Sequence, residues 1–196
     1  MADDGELDLR QSRILFETVR AVAQAANGPD PYMTGHSWRV AESCDRLARA
    51  MGLPGHQRFL LSLAAWFHDV GTLFTPAYIL RKPSVLAEDE MEEVRIHPVR
   101  GAALFAGEPQ LAEIARAIRH HHERFDGTGY PGGLRGEAIP LLSRIILVAE
   151  TYEAMTHDRP FRRAGSHAEA LRRIREGAGT QLDPAIVAHF VAVMEA

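Results

Sequence analysis

Residues 119–136 read RHHHERFDGTGYPGGLRG, and this stretch is the starting point for interpreting the rest of the chain. Three consecutive histidines, His120, His121 and His122, precede Glu123 and a glycine-rich turn. The segment before them has apolar side chains at i, i+3, i+4 and i+7, which are Leu111, Ile114, Ala115 and Ile118. The histidines are therefore predicted at the C-terminal end of an amphipathic helix, because the glycines that follow cannot continue it.

Histidines in this position have two interpretations. Neutral imidazole is the commonest metal ligand in proteins, so adjacent histidines leaving a helix can bind two neighbouring metals, or one metal and a substrate. The alternative is a solvated histidine patch that is stabilised by the C-terminal end of the helix dipole. This stretch alone leaves both interpretations open, and the other histidines of the chain favour metal binding.

The composition limits the class of protein. The chain has 196 residues, which fits one domain, and 46% of them are hydrophobic, which is enough for a sizeable core. A formal net charge of -4 argues against a partner that is a nucleic-acid polymer, but not against a small phosphorylated ligand. The single cysteine, Cys44, excludes an internal disulfide and is typical of the cytoplasm. No apolar run is long enough to span a membrane, and the N-terminus does not resemble a secretory signal.

The apolar periodicity predicts an all-α fold. Helical patterns recur along the chain, and no stretch shows sustained period-two alternation. The prediction is a single-domain helical bundle of roughly seven to nine helices, with residues 1–29 as an N-terminal helix and linker of the same domain. Residues 59–67 are apolar almost all round and are predicted to form the central buried helix. Ser166 with Glu169, and Asp183 with Pro184, are predicted to begin the last two helices.

Other polar residues lie where the pattern predicts burial. His68 and Asp69 leave the apolar 59–67 segment, where a polar side chain is costly unless it is paired or ligated. His36 lies one turn before Val40 on an inward helix face, and Glu150 follows the apolar run 145–149. Taken singly, an inward histidine is more often a hydrogen-bonded core residue, and a helix glutamate is more often solvated.

Taken together, these candidates come from about five separate helix ends or turns, which is how helical bundles build metal centres. They offer more nitrogen and oxygen ligands than one metal needs: His36, His68, Asp69, His97, His121, His122 and Glu150. Such ligands suit iron, manganese or zinc. A carboxylate such as Asp69 can bridge two divalent metals, and a pair about 3.5–4 Å apart would clamp a phosphoryl group and activate water.

The order of the motifs resembles the HD-GYP family, over about residues 30–186. The motifs that carry the resemblance are His68-Asp69, His97-Pro98, His121-His122-Glu123, Asp126-Gly127-Thr128-Gly129-Tyr130-Pro131 and Asp158-Arg159-Pro160-Phe161-Arg162. Members of that family are metal-dependent phosphodiesterases of the HD superfamily that hydrolyse cyclic di-GMP to pGpG and often GMP, and some prefer hybrid cyclic GMP-AMP. The resemblance implies an HD-like helical domain over residues 30–196 and a role in second-messenger signalling.

The resemblance also implies residue roles. His36, His68, Asp69, His97, His121 and His122 match family metal ligands, and Asp69 would bridge two metals. Asp69 and His68 are the catalytic candidates. Gly129, Tyr130 and Pro131 match the GYP signature, in which Tyr130 would contact the substrate. Arg159 and Arg162 would hold its phosphates or guanine, a task that suits the arginine fork. Iron or manganese is expected, with zinc, nickel or magnesium as alternatives.

Three positions depart from the family pattern. Thr72 stands where a lysine usually lies near the scissile phosphate, and loss of such a group can cost on the order of a hundred-fold in rate. Glu150 stands where the family has a metal-binding aspartate, and its extra methylene moves the carboxylate. Tyr32 replaces the glutamate of members with a third metal, which predicts two metals at most.

Two functions from different classes follow. The first is a cyclic-dinucleotide phosphodiesterase with a binuclear metal centre, which the complete histidine set favours. The second is a degenerate member that binds a cyclic dinucleotide or a signalling protein and turns over slowly or not at all, which Thr72 and Glu150 favour. The N-terminal helix could support a homodimer.

Overall fold

The computed structural model describes residues 21–22, 35–158 and 163–195. Within these ranges the regular structure is helical, and the only β-type pairing described is an isolated bridge between Ala178 and Leu182. The predicted all-α class is therefore confirmed. Of the predicted N-terminal helix only Ala21 and Val22 are described, and both are helical. The rest of residues 1–29 lies outside the described residues, as do Tyr32, Arg159 and Arg162.

The described ranges contain eight helices of seven or more residues. In chain order they are α1 (His36–Ala50), α2 (Gly55–Phe67), α3 (Glu88–Arg95), α4 (His97–Ala103), α5 (Ala112–Arg119), α6 (Leu141–Thr156), α7 (His167–Glu176) and α8 (Pro184–Glu195). A single helical turn and three 3-10 helices lie between them, at Ala77–Leu80, Val70–Phe74, Pro109–Leu111 and Gly136–Ala138. None of the described helices is both long enough and apolar enough to cross a membrane.

The two predicted helix starts are confirmed. The Ser166 hydroxyl accepts a hydrogen bond from the Glu169 backbone N–H at 3.2 Å, which caps α7. The Asp183 carboxylate accepts from the Ala185 N–H at 2.8 Å and so begins α8. Each cap satisfies a backbone donor that the first turn of a helix leaves unpaired.

Helix α6 forms the centre of the bundle and packs against α1, α2, α5, α7 and α8. Its residues Ile145, Ile146, Val148 and Ala149 are completely buried. Branched side chains lower helix propensity slightly, but burying this much apolar surface outweighs that cost. Because α6 runs through the core, Glu150 follows the buried run directly; the residue is half-buried, and its Oε2 atom is enclosed.

The prediction that residues 59–67 form the central buried helix is wrong on one face. Phe59 in α2 is 55% exposed, while the opposite side of the helix is buried through Leu60, Leu61, Ala64, Ala65 and Trp66. An apolar residue does not have to be buried, because more than half of a protein surface is apolar in any case. Helix α2 is therefore peripheral on its Phe59 side, and only its other side faces the core.

Gly71 allows two of the polar segments to meet. The 3-10 helix Val70–Phe74 packs against α4. A Cβ atom on Gly71 would lie 1.9 Å from the His97 carbonyl oxygen and 2.6 Å from the Gly101 backbone nitrogen, which no side chain could occupy. This close backbone approach brings Asp69, two residues before Gly71, next to His97.

Candidate metal centre

The structure brings together all seven side chains that the sequence offered as metal ligands. They form three overlapping groups in which the ligand atoms lie within 4.8 Å of one another: His36, His68 and Asp69; Asp69, His97, His121 and His122; and His68, His121 and Glu150. The side chains are supplied by the start of α1, the end of α2, the start of α4, the turn after α5, and α6. The site therefore depends on five segments meeting at one point.

Asp69 lies between two pairs of histidines. Its Oδ2 atom is 3.3 Å from His68 Nε2 and 3.6 Å from His36 Nε2. Its Oδ1 atom is 3.2 Å from His97 Nε2 and 3.8 Å from His121 Nε2. Each carboxylate oxygen thus faces its own pair of imidazoles, which is the arrangement that a carboxylate bridging two metal ions requires.

Backbone carbonyls fix the orientation of three of these rings. The Nδ1–H groups donate to the residue three positions earlier: His68 to Ala65 O at 2.8 Å, His97 to Val94 O at 2.7 Å and His121 to Ile118 O at 2.6 Å. A carbonyl can only accept, so Nδ1 carries a hydrogen and, in the neutral ring, Nε2 presents a lone pair to the cluster. Such outer bonds are typical of metal-binding histidines.

Two observations show that the ligand set fits cations. His97 Nε2 and His121 Nε2 are 3.3 Å apart, and two lone pairs at this distance repel unless a positive charge lies between them. The Oε2 atom of Glu150 is buried and has no hydrogen-bond partner among the described residues. An unpaired buried carboxylate oxygen is costly, and a metal ion would satisfy it. Imidazole and carboxylate ligands suit several divalent ions and do not select one of them.

The electrostatics of the cluster keep several ligands in the form that binds a metal. Burial lowers the pKa of His121 well below its usual value, and the neighbouring His122 and His68 act in the same direction. Burial also lowers the pKa of His122. Burial alone would raise the pKa of Asp69, but the charge of His68 and hydrogen bonds from the surrounding histidines hold it well below its usual range. At neutral pH Asp69 is therefore ionised and His121 and His122 are neutral. Burial would lower the pKa of His68 and His97 as well, but their contacts with Asp69 outweigh burial and raise both pKa values.

His36 is held by the carboxylate of Glu153, a residue that is not among the ligand candidates predicted from the sequence. Its Nδ1 atom is 2.6 Å from Glu153 Oε2, and Glu153 is only 3% exposed. Burial lowers the pKa of His36, but its contacts with Asp69 and Glu153 outweigh burial and raise that pKa to about 10. Without a metal, His36 therefore carries a proton that a cation would replace. The sequence signal for Glu153 was its position one turn after Glu150 on the central helix.

Glu123 organises the glycine-rich turn that follows the histidines. Its buried carboxylate accepts hydrogen bonds from the Gly132 N–H at 2.6 Å and the Leu134 N–H at 3.0 Å, and His120 Nδ1 lies 3.1 Å away. Gly129 lies against the same segment, where a Cβ atom would be 2.2 Å from the Arg124 backbone nitrogen. The turn is therefore fixed directly to the chain that carries the metal-ligand candidates.

Tyr130 lies at the edge of the cluster. Its ring stacks on His122 with a centroid distance of 4.9 Å and an interplanar angle of 29°. Burial raises the pKa of its hydroxyl, so the phenol stays protonated at neutral pH. The Tyr130 backbone N–H donates to the His122 carbonyl oxygen at 3.2 Å, which holds this end of the turn against the histidines. Of the predicted substrate-binding residues, these three are described and lie beside the metal-ligand candidates.

The Thr72 position provides no positive charge. The Thr72 hydroxyl donates to the Asp69 backbone carbonyl at 2.7 Å, so this side chain is hydrogen-bonded to the neighbouring backbone. Lys82, the single lysine of the chain, pairs with Glu90. Among the described residues, neither Thr72 nor Lys82 therefore supplies the positive charge that a lysine at position 72 would provide.

A comparison with models of protein families shows to which family the chain belongs. A family model described as HD domain matches residues 20–186. The chain belongs to the HD domain family. Its resemblance to HD-GYP proteins, read from the order of the motifs, is thereby confirmed at the level of the family.

Curated relatives of this HD domain include two kinds of phosphodiesterase. The chain is 40% identical to a cyclic di-GMP phosphodiesterase of Pseudomonas aeruginosa, over 93% of this chain and 43% of the relative. It is 36% identical to a 3′3′-cGAMP-specific phosphodiesterase of Vibrio cholerae, over 85% of this chain and 36% of the relative. The chain therefore spans less than half the length of these relatives.

Solved structures share the fold of this HD domain. A cyclic GMP-AMP-specific phosphodiesterase of Vibrio cholerae matches with a TM-score of 0.72 and 20% identity, over 91% of this chain and 48% of that chain. The HD domain of the phosphodiesterase PgpH from Listeria monocytogenes matches with a TM-score of 0.58 and 15% identity, over 90% of this chain and 93% of that chain. At these identities the likeness shows the fold alone.

Replacing Glu123 with alanine is expected to destabilise the domain by about 1–3 kcal/mol, because two part-buried backbone donors lose their charged acceptor. The matched control is Glu137→Ala, at an exposed position of the 3-10 helix that follows the turn, which should change stability by less than about 0.5 kcal/mol. Denaturant unfolding of the metal-free proteins measures both values. Equal unfolding midpoints for the two variants would contradict the role of Glu123.

Proposed function

We propose that this HD domain is a metal-dependent phosphodiesterase that hydrolyses a cyclic dinucleotide. The observation that carries the proposal is the position of Asp69, whose two oxygens face separate histidine pairs at 3.2–3.8 Å. This arrangement supports a centre with two divalent metals. The 40% and 36% identical relatives, named as cyclic di-GMP and 3′3′-cGAMP phosphodiesterases, support the class of substrate.

The ligands divide into two sets around Asp69. His36, His68 and Asp69 Oδ2 would hold one metal, and His97, His121, His122 and Asp69 Oδ1 the other, with Glu150 close to His68 and His121. When bound, the metals supply Lewis acidity and an activated water molecule for attack on phosphorus. Two divalent ions would exceed the combined charge of Asp69 and Glu150, so the loaded centre would have a net positive charge that suits a phosphodiester anion.

The finer assignment is cyclic di-GMP as substrate, pGpG and then GMP as products, and iron or manganese as the metals. Hydrolysis of hybrid cyclic GMP-AMP, a related cyclic dinucleotide, should be measured beside that of cyclic di-GMP. Tyr130 lies beside His122, where its face and hydroxyl could contact a nucleotide at the centre. Arg159 and Arg162 are proposed to hold the phosphates or guanine through their guanidinium forks.

A second candidate function is cyclic-dinucleotide binding with little turnover. The Thr72 hydroxyl, bonded to the Asp69 carbonyl at 2.7 Å, favours it, because this position cannot stabilise charge that develops on the scissile phosphate. In this function the domain would pass a signal to a protein partner or through a homodimer.

Removing Asp69 tests the metal centre and the reaction together. Asp69→Ala is expected to lose most bound metal and all hydrolysis of cyclic di-GMP, because both metals share this ligand. His189→Ala, at an exposed histidine on α8, should retain both. Metal content and separated products are measured on protein purified without oxygen. Normal metal content and turnover in Asp69→Ala would contradict the proposal.

Introducing the missing cation distinguishes the two candidate functions. Thr72→Lys is expected to raise kcat by up to about a hundred-fold with a smaller change in KM, since the new charge acts chiefly in the transition state. Thr72→Met, which is long but uncharged, is the matched control and should not raise kcat. An unchanged kcat in Thr72→Lys would show that the lysine is not what limits turnover.

A further inference from the structure

We infer that Glu153 is a positioning residue that selectively strengthens the metal site built on His36 and His68. The inference rests on the proposed metal centre and adds to it a residue that the family match did not single out. The His36 Nε2 atom faces the cluster, and Glu153 does not contact that nitrogen. It acts on the opposite edge of the His36 ring, where its Oε2 atom lies 2.6 Å from Nδ1.

The support behind His36 differs from the support behind the other rings. His68, His97 and His121 donate from Nδ1 to neutral backbone carbonyls of their own helical segments. Among the described residues, His36 is the one ligand candidate whose Nδ1 meets a carboxylate. A charged acceptor at Nδ1 increases electron density on the ring and makes Nε2 a stronger ligand than a carbonyl does.

Arg39 holds the Glu153 carboxylate in place. The Arg39 Nε atom donates to Glu153 Oε1 at 2.9 Å, while Oε2 faces His36. Arg39 follows His36 by three residues on α1, and Glu153 lies on α6, so the packing of these two helices fixes all three groups. His157 Nδ1 lies 3.6 Å from Oε1 and adds a further polar neighbour. The two oxygens thus have separate tasks.

The two proposed metal sites have unequal ligand sets, which gives Glu153 its importance. The group around Asp69 Oδ1 contains three histidines, whereas the group around Oδ2 contains two, His36 and His68. Glu150 groups with His68 and His121, one from each set, so it does not remove the difference. A carboxylate behind His36 strengthens the site that has fewer imidazoles. Removing that charge should therefore weaken one site and spare the other.

The test is a titration of metal-free protein with cobalt(II), followed by visible absorption and by the number of cobalt ions bound per chain. The natural chain should bind two ions. Glu153→Gln keeps the shape and polarity of the side chain but removes its charge, and should weaken one of the two sites by 10- to 100-fold. The other site should change by less than about threefold, a selectivity that a general loss of packing would not produce.

Two further variants assign the affected site and guard against misfolding. In a His36→Ala background, Glu153→Gln should have no further effect on the remaining site, because the ring through which it acts is gone. The double variant Arg39→Gln with Glu153→Gln removes both charges of this ion pair together, so Arg39 is not left without its carboxylate. It should show the same selective loss while its circular dichroism matches that of the natural chain.

The outcomes separate this inference from the function on which it rests. Two cobalt sites in the natural chain, with both affinities unchanged or equally weakened in Glu153→Gln and in the double variant, would overturn the role of Glu153 alone. An additive effect of Glu153→Gln in the His36→Ala background would overturn it as well. Absence of cobalt binding by the natural chain would overturn the metal centre and this inference together.

Discussion

The buried carboxylate of Asp69, shared between histidines from separate helices, is the interaction on which the rest of the site depends. A charge in the interior is tolerated only when neighbouring groups compensate for its lost hydration. Here the compensation comes from four imidazole nitrogens at 3.2–3.8 Å. In the metal-free protein a protonated ring such as His36 supplies that compensation, and bound metal ions would supply it in place of the protons.

The helical framework serves this shared contact. The central helix α6 places the half-buried Glu150 and the buried Glu153 directly after a buried apolar run. Gly71 lets the segment after Asp69 approach the backbone of α4 more closely than any other residue could. The turn after α5 delivers His121 and His122 and is held by the buried Glu123. Backbone carbonyls behind His68, His97 and His121, and the carboxylate behind His36, thus orient four of the ligand candidates without any bound ion.

The sequence predicted much of this architecture because its strongest signals are local. Apolar periodicity identified the helices, and polar residues at the ends of apolar runs identified the ligand candidates. Local signals cannot show how two distant segments pair. Glu153 looked like an ordinary helix glutamate because its partner, His36, is 117 residues away in the chain. Phe59 was placed in the core because apolar composition does not show which face of a helix has a neighbour.

The measurement that tests the central claim most directly is anomalous diffraction from crystals of protein loaded with iron(II) or manganese(II) without oxygen. Two anomalous peaks about 3.5–4 Å apart, one on each side of Asp69, are the predicted result. The first should lie against His36 and His68, and the second against His97, His121 and His122. A single peak in the cluster, or two peaks that Asp69 does not bridge, would contradict the account.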